Sequence, residues 1–89
     1  MAYAVELSES ADRELTKLDA PQRKRILKFL HERVAKPDDP RSIGEALRGS
    51  QLGEFWKYRV GDYRLISKIE DNRLLVLVLR VGHRKKIYR

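Results

Sequence analysis

The sequence predicts an α+β domain in which an N-terminal strand and a helical hairpin precede a mainly antiparallel sheet, with the helices on one sheet face. Three observations support this prediction. Apolar residues recur at helical spacing between residues 11 and 34 and at strand spacing after residue 55. Helical and strand segments are separated along the chain rather than alternating. A length of 89 residues with a hydrophobic fraction of 42% fits one domain, residues 1–89.

The first half of the chain predicts a strand followed by two helices. Residues 3–7 alternate as a short strand, and Ser8 is a suitable N-cap for a first amphipathic helix. Asp19 caps a second helix with Pro21 in its first turn, and Pro37 ends that helix. The connection between the helices is so short that they should form a hairpin.

The second half predicts a three-stranded meander. Its strands are expected at residues 55–60, 63–69 and 74–79. Gly61-Asp62 makes a tight turn, and Asp71-Asn72 makes the next one. The last strand is apolar at both its odd-numbered and its even-numbered positions, so we expect it to be central and buried on both faces. Residues 80–89 are expected to form a basic tail, and the sequence assigns no structure to residues 45–49.

The net charge of +7 is unevenly distributed. Residues 1–54 contain ten basic and ten acidic side chains, whereas residues 55–89 contain ten basic and three acidic ones. A positive field concentrated in one region favours a polyanionic partner such as nucleic acid. An acidic protein partner, or a solvated basic surface without any partner, fits the charge equally well.

Several classes of function lack the residues that they need. The absence of cysteine removes disulfides, zinc–thiolate sites and a cysteine nucleophile, and fits a reducing cytoplasm. There is no glycine-rich phosphate loop, and His31 and His83 do not have metal-ligand spacing. Asp38-Asp39 has no matching acids for Mg²⁺, and the serines lack partners for a catalytic triad. We therefore expect no metal and no cofactor. We also expect no membrane association, because no apolar run is long enough to span a bilayer.

Lys57 and Arg59 are the first candidate functional residues. They are two positions apart on a strand, so they point to the same sheet face, which should be open because burying both charges would be costly. Taken alone, the pair also fits the ordinary polar alternation of a half-exposed sheet.

Further cations follow in the predicted sheet. If the meander pairs as expected, Arg64 and the tail beyond Arg80 flank the first strand, and the cations converge on one concave face. Such a face suits a phosphodiester, because arginine grips phosphate oxygens bidentately and the phosphate gains charge in the transition state. The cations expected around it are Lys57, Arg59, Arg64 and Arg84, and the residues expected to bind RNA beside them are Arg80, Lys85 and Lys86.

Tyr88 and His83 are candidates of a different kind. A tyrosine in a basic tail can stack on a base or position a phosphate, but it can equally pin the C-terminal segment to the core. His83 follows Gly82 beside arginines, where a histidine is either structural or a proton carrier.

The chain resembles the RelE/ParE superfamily of bacterial toxins over nearly its full length. The segments that carry the resemblance are residues 47–49 (LRG), 56–64 (WKYRVGDYR) and 81–88 (VGHRKKIY). The resemblance implies a compact fold like that of the microbial ribonucleases. It also implies either a RelE-like enzyme or a ParE-like inhibitor of DNA gyrase without nuclease activity, and the shared scaffold does not choose between them. An inactive RNA-binding module is a further alternative.

The RelE reading of this resemblance implies a ribosome-dependent endoribonuclease that cuts mRNA in the ribosomal A site and so inhibits translation. The ribose 2′-oxygen attacks the adjacent phosphate without a metal, leaving a 2′,3′-cyclic phosphate and a 5′-hydroxyl. Lys57 would activate the 2′-hydroxyl or stabilise its oxyanion, and Arg59, Arg64 and Arg84 would hold the phosphate. Arg84 would also protonate the leaving 5′-oxygen, and Tyr88 would stack on or orient the substrate.

The sequence departs from the family pattern at two of these positions. Arg59 replaces a lysine, which keeps the charge but removes a titratable amine. His83 replaces a cation, so it is a candidate to share the proton chemistry. The resemblance further implies a cytoplasmic protein with a cognate RelB-like antitoxin that wraps it, the 70S ribosome and mRNA as partners, and operator DNA bound through the antitoxin.

Overall fold

A computed structural model describes residues 3–36, 39–47 and 55–87. In these residues the helices are α1, Glu9–Thr16, and α2, Ala20–Phe29, which continues through a π-helical turn, Leu30–Val34. The strands are β1 Ala4–Leu7, β2 Glu45–Ala46, β3 Phe55–Val60, β4 Tyr63–Glu70 and β5 Leu75–His83. The α+β class and the order of strand, helical hairpin and meander are therefore confirmed.

The predicted caps begin both helices. The Ser8 hydroxyl accepts a hydrogen bond of 3.1 Å from the Ala11 amide, and the Asp19 carboxylate accepts one of 3.1 Å from the Gln22 amide. Each bond satisfies an amide that has no partner within its own helix. Pro21 lies in the first turn of α2, as expected. The predicted helix end at Pro37 lies outside the described residues.

The π-helical turn was not predicted, and the spacing of the apolar residues accounts for it. Ile26, Leu30 and Val34 are four residues apart and at most 2% exposed. In an α-helix, with 3.6 residues per turn, residues four apart drift progressively around the axis. A wider turn offsets this drift. All three side chains can therefore face the sheet.

The sheet has the strand order β1-β5-β4-β3-β2. β1 runs parallel to β5, and the other neighbours are antiparallel. The β3–β4–β5 meander is as predicted, but β4 lies between β3 and β5. The expectation that the segment beyond Arg80 flanks the first meander strand is therefore wrong, because that segment pairs with β4 instead. Residues 80–83 also belong to β5 rather than to a tail.

The core lies between the helices and one sheet face. The sheet contributes Tyr58, Leu65, Val76 and Val78, each at most 1% exposed. β5 is an interior strand, as predicted, but Leu77 and Leu79 are only half-buried. The expectation of burial on both faces is therefore only partly correct, since no helix among the described residues covers the second face. No helix in the described part of the chain has the length and apolar character needed to cross a membrane.

Tyr58 connects the core to the loop before β2. Its hydroxyl donates a 2.6 Å hydrogen bond to the Pro40 carbonyl, and its ring meets Phe29 edge-on at 6.1 Å between centroids. Burial raises the pKa of Tyr58 to about 12. A Cβ on Gly44 would lie 2.9 Å from Tyr58 Cε1, so only glycine lets the loop pass this close to the ring. The position of β2 therefore depends on Tyr58.

Ser67 is a buried polar residue that weakens the core. It is fully buried on β4, and its hydroxyl has no hydrogen-bond partner among the described residues. An unsatisfied buried hydroxyl costs about 1–3 kcal/mol. We expect Ser67→Ala to raise the free energy of unfolding, measured by urea denaturation, by about 1 kcal/mol. A loss of stability in Ser67→Ala would contradict this prediction.

Candidate active site

An open cleft lies on the sheet face opposite the helices. It has a volume of about 240 Å³ and contains the side chains of Lys57, Arg59 and Arg64. Lys57 and Arg59 alternate with the buried Tyr58 and Val60 on β3, so they must point away from the core. The structure thus brings together three of the cations that the sequence predicts on one open face.

Arg59 and Arg64 are directly opposite each other in the β3–β4 register. Cross-strand neighbours on one sheet face have Cβ atoms about 4.5–5.5 Å apart, and like charges in such a pair destabilise the sheet. An anion bound between them would relieve this repulsion. The pair is therefore more easily explained by a ligand than by the stability of the fold.

Arg64 is held in a defined position by the β3–β4 turn. Its Nη1 donates to the Gly61 carbonyl at 3.0 Å and to the Tyr63 carbonyl at 2.9 Å. The side chain is half-buried, unlike that of Arg59, which is exposed. A guanidinium fixed by two backbone carbonyls loses little further freedom when an anion binds.

Glu45 is a site residue that the sequence analysis missed. It pairs with Lys57 in the β2–β3 register, and its Oε2 lies 3.5 Å from Lys57 Nζ. The carboxylate lines the cleft and is 76% exposed. The only signal in the sequence is one acid in a stretch without clear periodicity, because β2 has just two residues. The cleft therefore contains a proton acceptor beside its cations.

Arg84 and His83 lie at the end of β5. The Arg84 amide donates to the Asp62 carbonyl at 2.8 Å, and its Nε is 3.8 Å from Asp62 Oδ1. His83 is opposite Tyr63, and the two rings meet edge-on at 5.7 Å. Since neighbouring side chains on β4 alternate, His83 lies on the face opposite Arg64. The structure therefore brings Arg84 to the turn beside the cleft but does not bring His83 into the cleft.

The hydrogen bonding of His83 indicates its tautomer. Its Nδ1 accepts a 3.2 Å hydrogen bond from the Lys85 amide. A ring nitrogen that accepts a hydrogen bond carries no proton, so neutral His83 carries its proton on Nε2. In this form Nε2 is a hydrogen-bond donor.

Arg80 is engaged by helix α1. Its Nε and Nη2 form hydrogen bonds of 3.0–3.1 Å with the Glu14 carboxylate, which also accepts a 3.0 Å bond from the Val81 amide. Burial alone would raise the pKa of Glu14, but the bonds from Arg80 and Val81 lower it below its ordinary value. Glu14 occupies Nε and Nη2 of Arg80 and offsets its positive charge, which weakens the RNA binding predicted for Arg80 from the sequence.

The segment after β5 folds back over the sheet. A Cβ on Gly82 would lie 3.2 Å from the Cβ of Ile87, which is buried. Gly82 is opposite Arg64, so Ile87 covers the sheet face that contains the cleft. Lys85 and Lys86 are exposed on this turn. Tyr88, predicted to contact the substrate, lies outside the described residues.

Comparison with known proteins identifies relatives of this chain. Residues 5–88 match the family model for the ParE toxin of type II toxin–antitoxin systems. Toxin RelG of Mycobacterium tuberculosis is 35% identical over 89 residues, which cover 100% of this chain and 99% of the relative. The mRNA interferase toxin RelE of Escherichia coli is 33% identical over 86 residues, covering 97% and 87% of the two chains.

A solved structure supports the same relationship. A chain of the toxin–antitoxin complex RelBE2 from Mycobacterium tuberculosis superposes with a TM-score of 0.84 and 30% identity, covering 93% of this chain and 92% of the other. The match to the family model over nearly the whole sequence, together with these relatives, confirms the resemblance seen in the motifs. The chain therefore belongs to the RelE/ParE family and is a toxin of a type II toxin–antitoxin system.

Proposed function

We propose that this toxin is a metal-independent endoribonuclease that cuts mRNA in the ribosomal A site and so inhibits translation. The observation that carries the proposal is the cleft in which Lys57, Arg59 and Arg64 converge, with two arginines directly opposite each other. Fixed cations of this kind stabilise a phosphate whose negative charge increases in the transition state. The relatives named as RelE toxins and mRNA interferases support this proposal over gyrase inhibition.

The geometry suggests a division of roles within the cleft. Glu45 accepts the proton of the ribose 2′-hydroxyl, and Lys57, 3.5 Å away, stabilises the attacking oxygen. Arg59 and Arg64 hold the pentacovalent phosphate. The bond from phosphorus to the 5′-oxygen then breaks, and the 5′-oxygen takes up a proton from Arg84, which follows β5. His83 lies on the opposite sheet face and takes no part in this step. The products are a 2′,3′-cyclic phosphate and a 5′-hydroxyl.

The open shape of the cleft favours a requirement for the ribosome. Glu45 is 76% exposed and Arg59 is exposed, so the cleft by itself neither encloses RNA nor excludes water. Holding reactants in the correct geometry supplies a large part of many catalytic rate enhancements. The A site would supply that geometry by fixing the message. We further propose a cytoplasmic toxin that is inhibited by a RelB-like antitoxin, with the pair binding operator DNA through the antitoxin.

A purified translation system tests the proposed function. The toxin is added to ribosomes stalled on a defined message, and the new 5′ ends are mapped by primer extension. We expect discrete cuts within the A-site codon on the ribosome and much slower cutting of the same message without ribosomes. An intact message at toxin concentrations that arrest translation would refute the proposal.

The matched family model describes ParE toxins, so gyrase inhibition remains a second candidate. It predicts loss of supercoiling activity when purified gyrase is incubated with the toxin, and an uncut message. The cationic cleft would then be a binding surface rather than a catalytic one.

We expect Glu45→Gln to separate two roles for this carboxylate. If Glu45 is the general base, the variant keeps its affinity for the ribosome but cuts the message about 10²-fold more slowly, as is typical for loss of a proton acceptor. Single-turnover cleavage on stalled ribosomes measures this rate. Glu32→Gln, on an exposed residue of the π-helical turn, is a control of equal charge change. Unchanged or faster cutting by Glu45→Gln would show that the carboxylate only screens Lys57.

A further inference from the structure

The β3–β4 turn contacts an arginine from the helical layer. Gly61 has a positive φ of 60°, and a Cβ at this position would lie 2.8 Å from Nη1 and 3.1 Å from Cζ of Arg25. The Arg25 guanidinium therefore packs directly on the Gly61 backbone. Any larger residue at position 61 would both strain the turn and displace this guanidinium.

Two other guanidiniums meet the same turn. Arg64 Nη1 donates to the Gly61 carbonyl at 3.0 Å, and Arg84 Nε lies 3.8 Å from the Asp62 carboxylate. Three positive charges thus surround a two-residue turn that contains a single carboxylate. Asp62 is 69% exposed in its side chain, so water weakens its attraction for these cations. Among the residues that the structure describes, the cluster keeps an excess of two positive charges, which repel one another unless an anion binds.

The three arginines come from different parts of the fold. Arg64 belongs to β4 and lines the cleft, Arg84 follows β5, and Arg25 lies on α2 in the layer behind the sheet. The positive surface therefore continues from the cleft around the end of the β3–β4 hairpin to the helices. A ligand with one phosphate would need only the cleft, whereas a polyphosphate strand can occupy the whole surface.

We propose that Arg25, held on the Gly61-Asp62 turn, binds a phosphate of the RNA strand outside the cleft. The identity of the polyanion rests on the proposed ribonuclease function. RNA is favoured over acidic protein because the cluster is continuous, through Arg64, with the cleft that we assign to the scissile phosphate. Arg25 is thus a substrate-binding residue that takes no part in the chemical step.

The test measures the binding of RNA without cleavage. A fluorescent single-stranded RNA, 2′-O-methylated throughout, removes the attacking hydroxyl and keeps the phosphates. Its Kd is measured by anisotropy at several KCl concentrations for wild type, Arg25→Ala and Arg25→Lys. A matched control is Arg33→Ala, which removes an exposed arginine from the π-helical turn away from the hairpin.

We expect Arg25→Ala to weaken binding about fivefold at 0.1 M KCl and to reduce the slope of log Kd against log[KCl] by about 0.7, the value for one phosphate contact on a single strand. Arg25→Lys should keep the slope, and Arg33→Ala should leave both quantities unchanged. Equal behaviour of Arg25→Ala and Arg33→Ala would overturn the proposal, as would an Arg25→Ala defect confined to binding of the antitoxin.

This outcome is independent of the cleavage assay. RNA binding that depends on Arg25, by a toxin that leaves ribosome-bound mRNA intact, would support the contact and refute the nuclease. If the toxin cuts mRNA normally but Arg25→Ala changes neither the affinity for RNA nor the salt slope, the nuclease proposal is supported and the Arg25 contact is refuted. A circular dichroism melt of each variant checks that the exposed substitutions leave the fold unchanged.

Discussion

Replacing Arg64 by alanine is expected to slow mRNA cleavage by about 10²–10³-fold, the usual effect of removing one donor to a charge that develops in the transition state. Arg64 is the cation in the cleft whose guanidinium is fixed by two backbone carbonyls, at 2.9 and 3.0 Å. Its position therefore needs no rearrangement when the phosphate gains charge. The measurement is the single-turnover rate of cutting on stalled ribosomes.

Two further variants show whether charge or geometry matters at this position. Arg64→Lys keeps the charge but not the planar fork, so it should recover only part of the rate. Arg73→Ala removes an exposed arginine near the opposite end of β4, where Arg73 pairs with Glu70 at 3.6 Å, and should cut at the wild-type rate. An Arg64→Ala rate within threefold of wild type would contradict the assignment of Arg64 to the transition state.

The largest effect on stability is expected from Tyr58→Ala. The Tyr58 ring is 1% exposed, and removing a buried aromatic ring costs about 3–5 kcal/mol. This is a large share of the roughly 5–15 kcal/mol that stabilise a typical domain. Tyr58→Phe keeps the ring but leaves the Pro40 carbonyl without its hydroxyl donor, and should cost about 1–2 kcal/mol. Urea denaturation of both variants measures these free energies of unfolding.

The same residue should make the protein sensitive to alkali. The pKa of Tyr58 rises from 10.0 to about 12 on folding, so the folded state binds the phenolic proton more tightly than the unfolded state. This contribution to stability is complete below pH 10 and is lost as the pH rises towards 12. Tyr58→Phe lacks the phenol, and its stability should fall less steeply over this range. Parallel pH curves for wild type and Tyr58→Phe would contradict the prediction.

The elements that the sequence predicted are those with local signals. Caps at Ser8 and Asp19 begin helices because each side chain bonds an amide three residues ahead. The alternation of apolar and charged residues predicted β3, and the structure shows the matching burial pattern, with Tyr58 and Val60 buried and Arg59 exposed. By contrast, β2 has two residues, and its pairing depends on how Gly44 passes the Tyr58 ring. The periodicity of apolar residues in the sequence does not predict a contact between a loop and a buried ring.

The candidate site was predictable to a similar extent. Spacing placed Lys57 and Arg59 on one face, because the side-chain period of a strand is two. The ion-pair partners of the charged side chains could not be predicted from the sequence. Arg80 was expected to bind RNA but is paired with Glu14, which is 66 residues away in sequence. Likewise, the place of Glu45 in the cleft follows from the β2–β3 register, which depends on loop geometry.

The pairing of β1 with β5 has a consequence for synthesis of the toxin. β5 is the last of the described strands in chain order, yet it lies between β1 and β4, with Ala4 opposite Leu75. Chains emerge from the ribosome from their N-terminus, at about 5–20 residues per second. The helical hairpin can emerge early, but the sheet cannot close before β5 is made. A nascent copy therefore lacks the complete sheet until almost the whole domain has been synthesised.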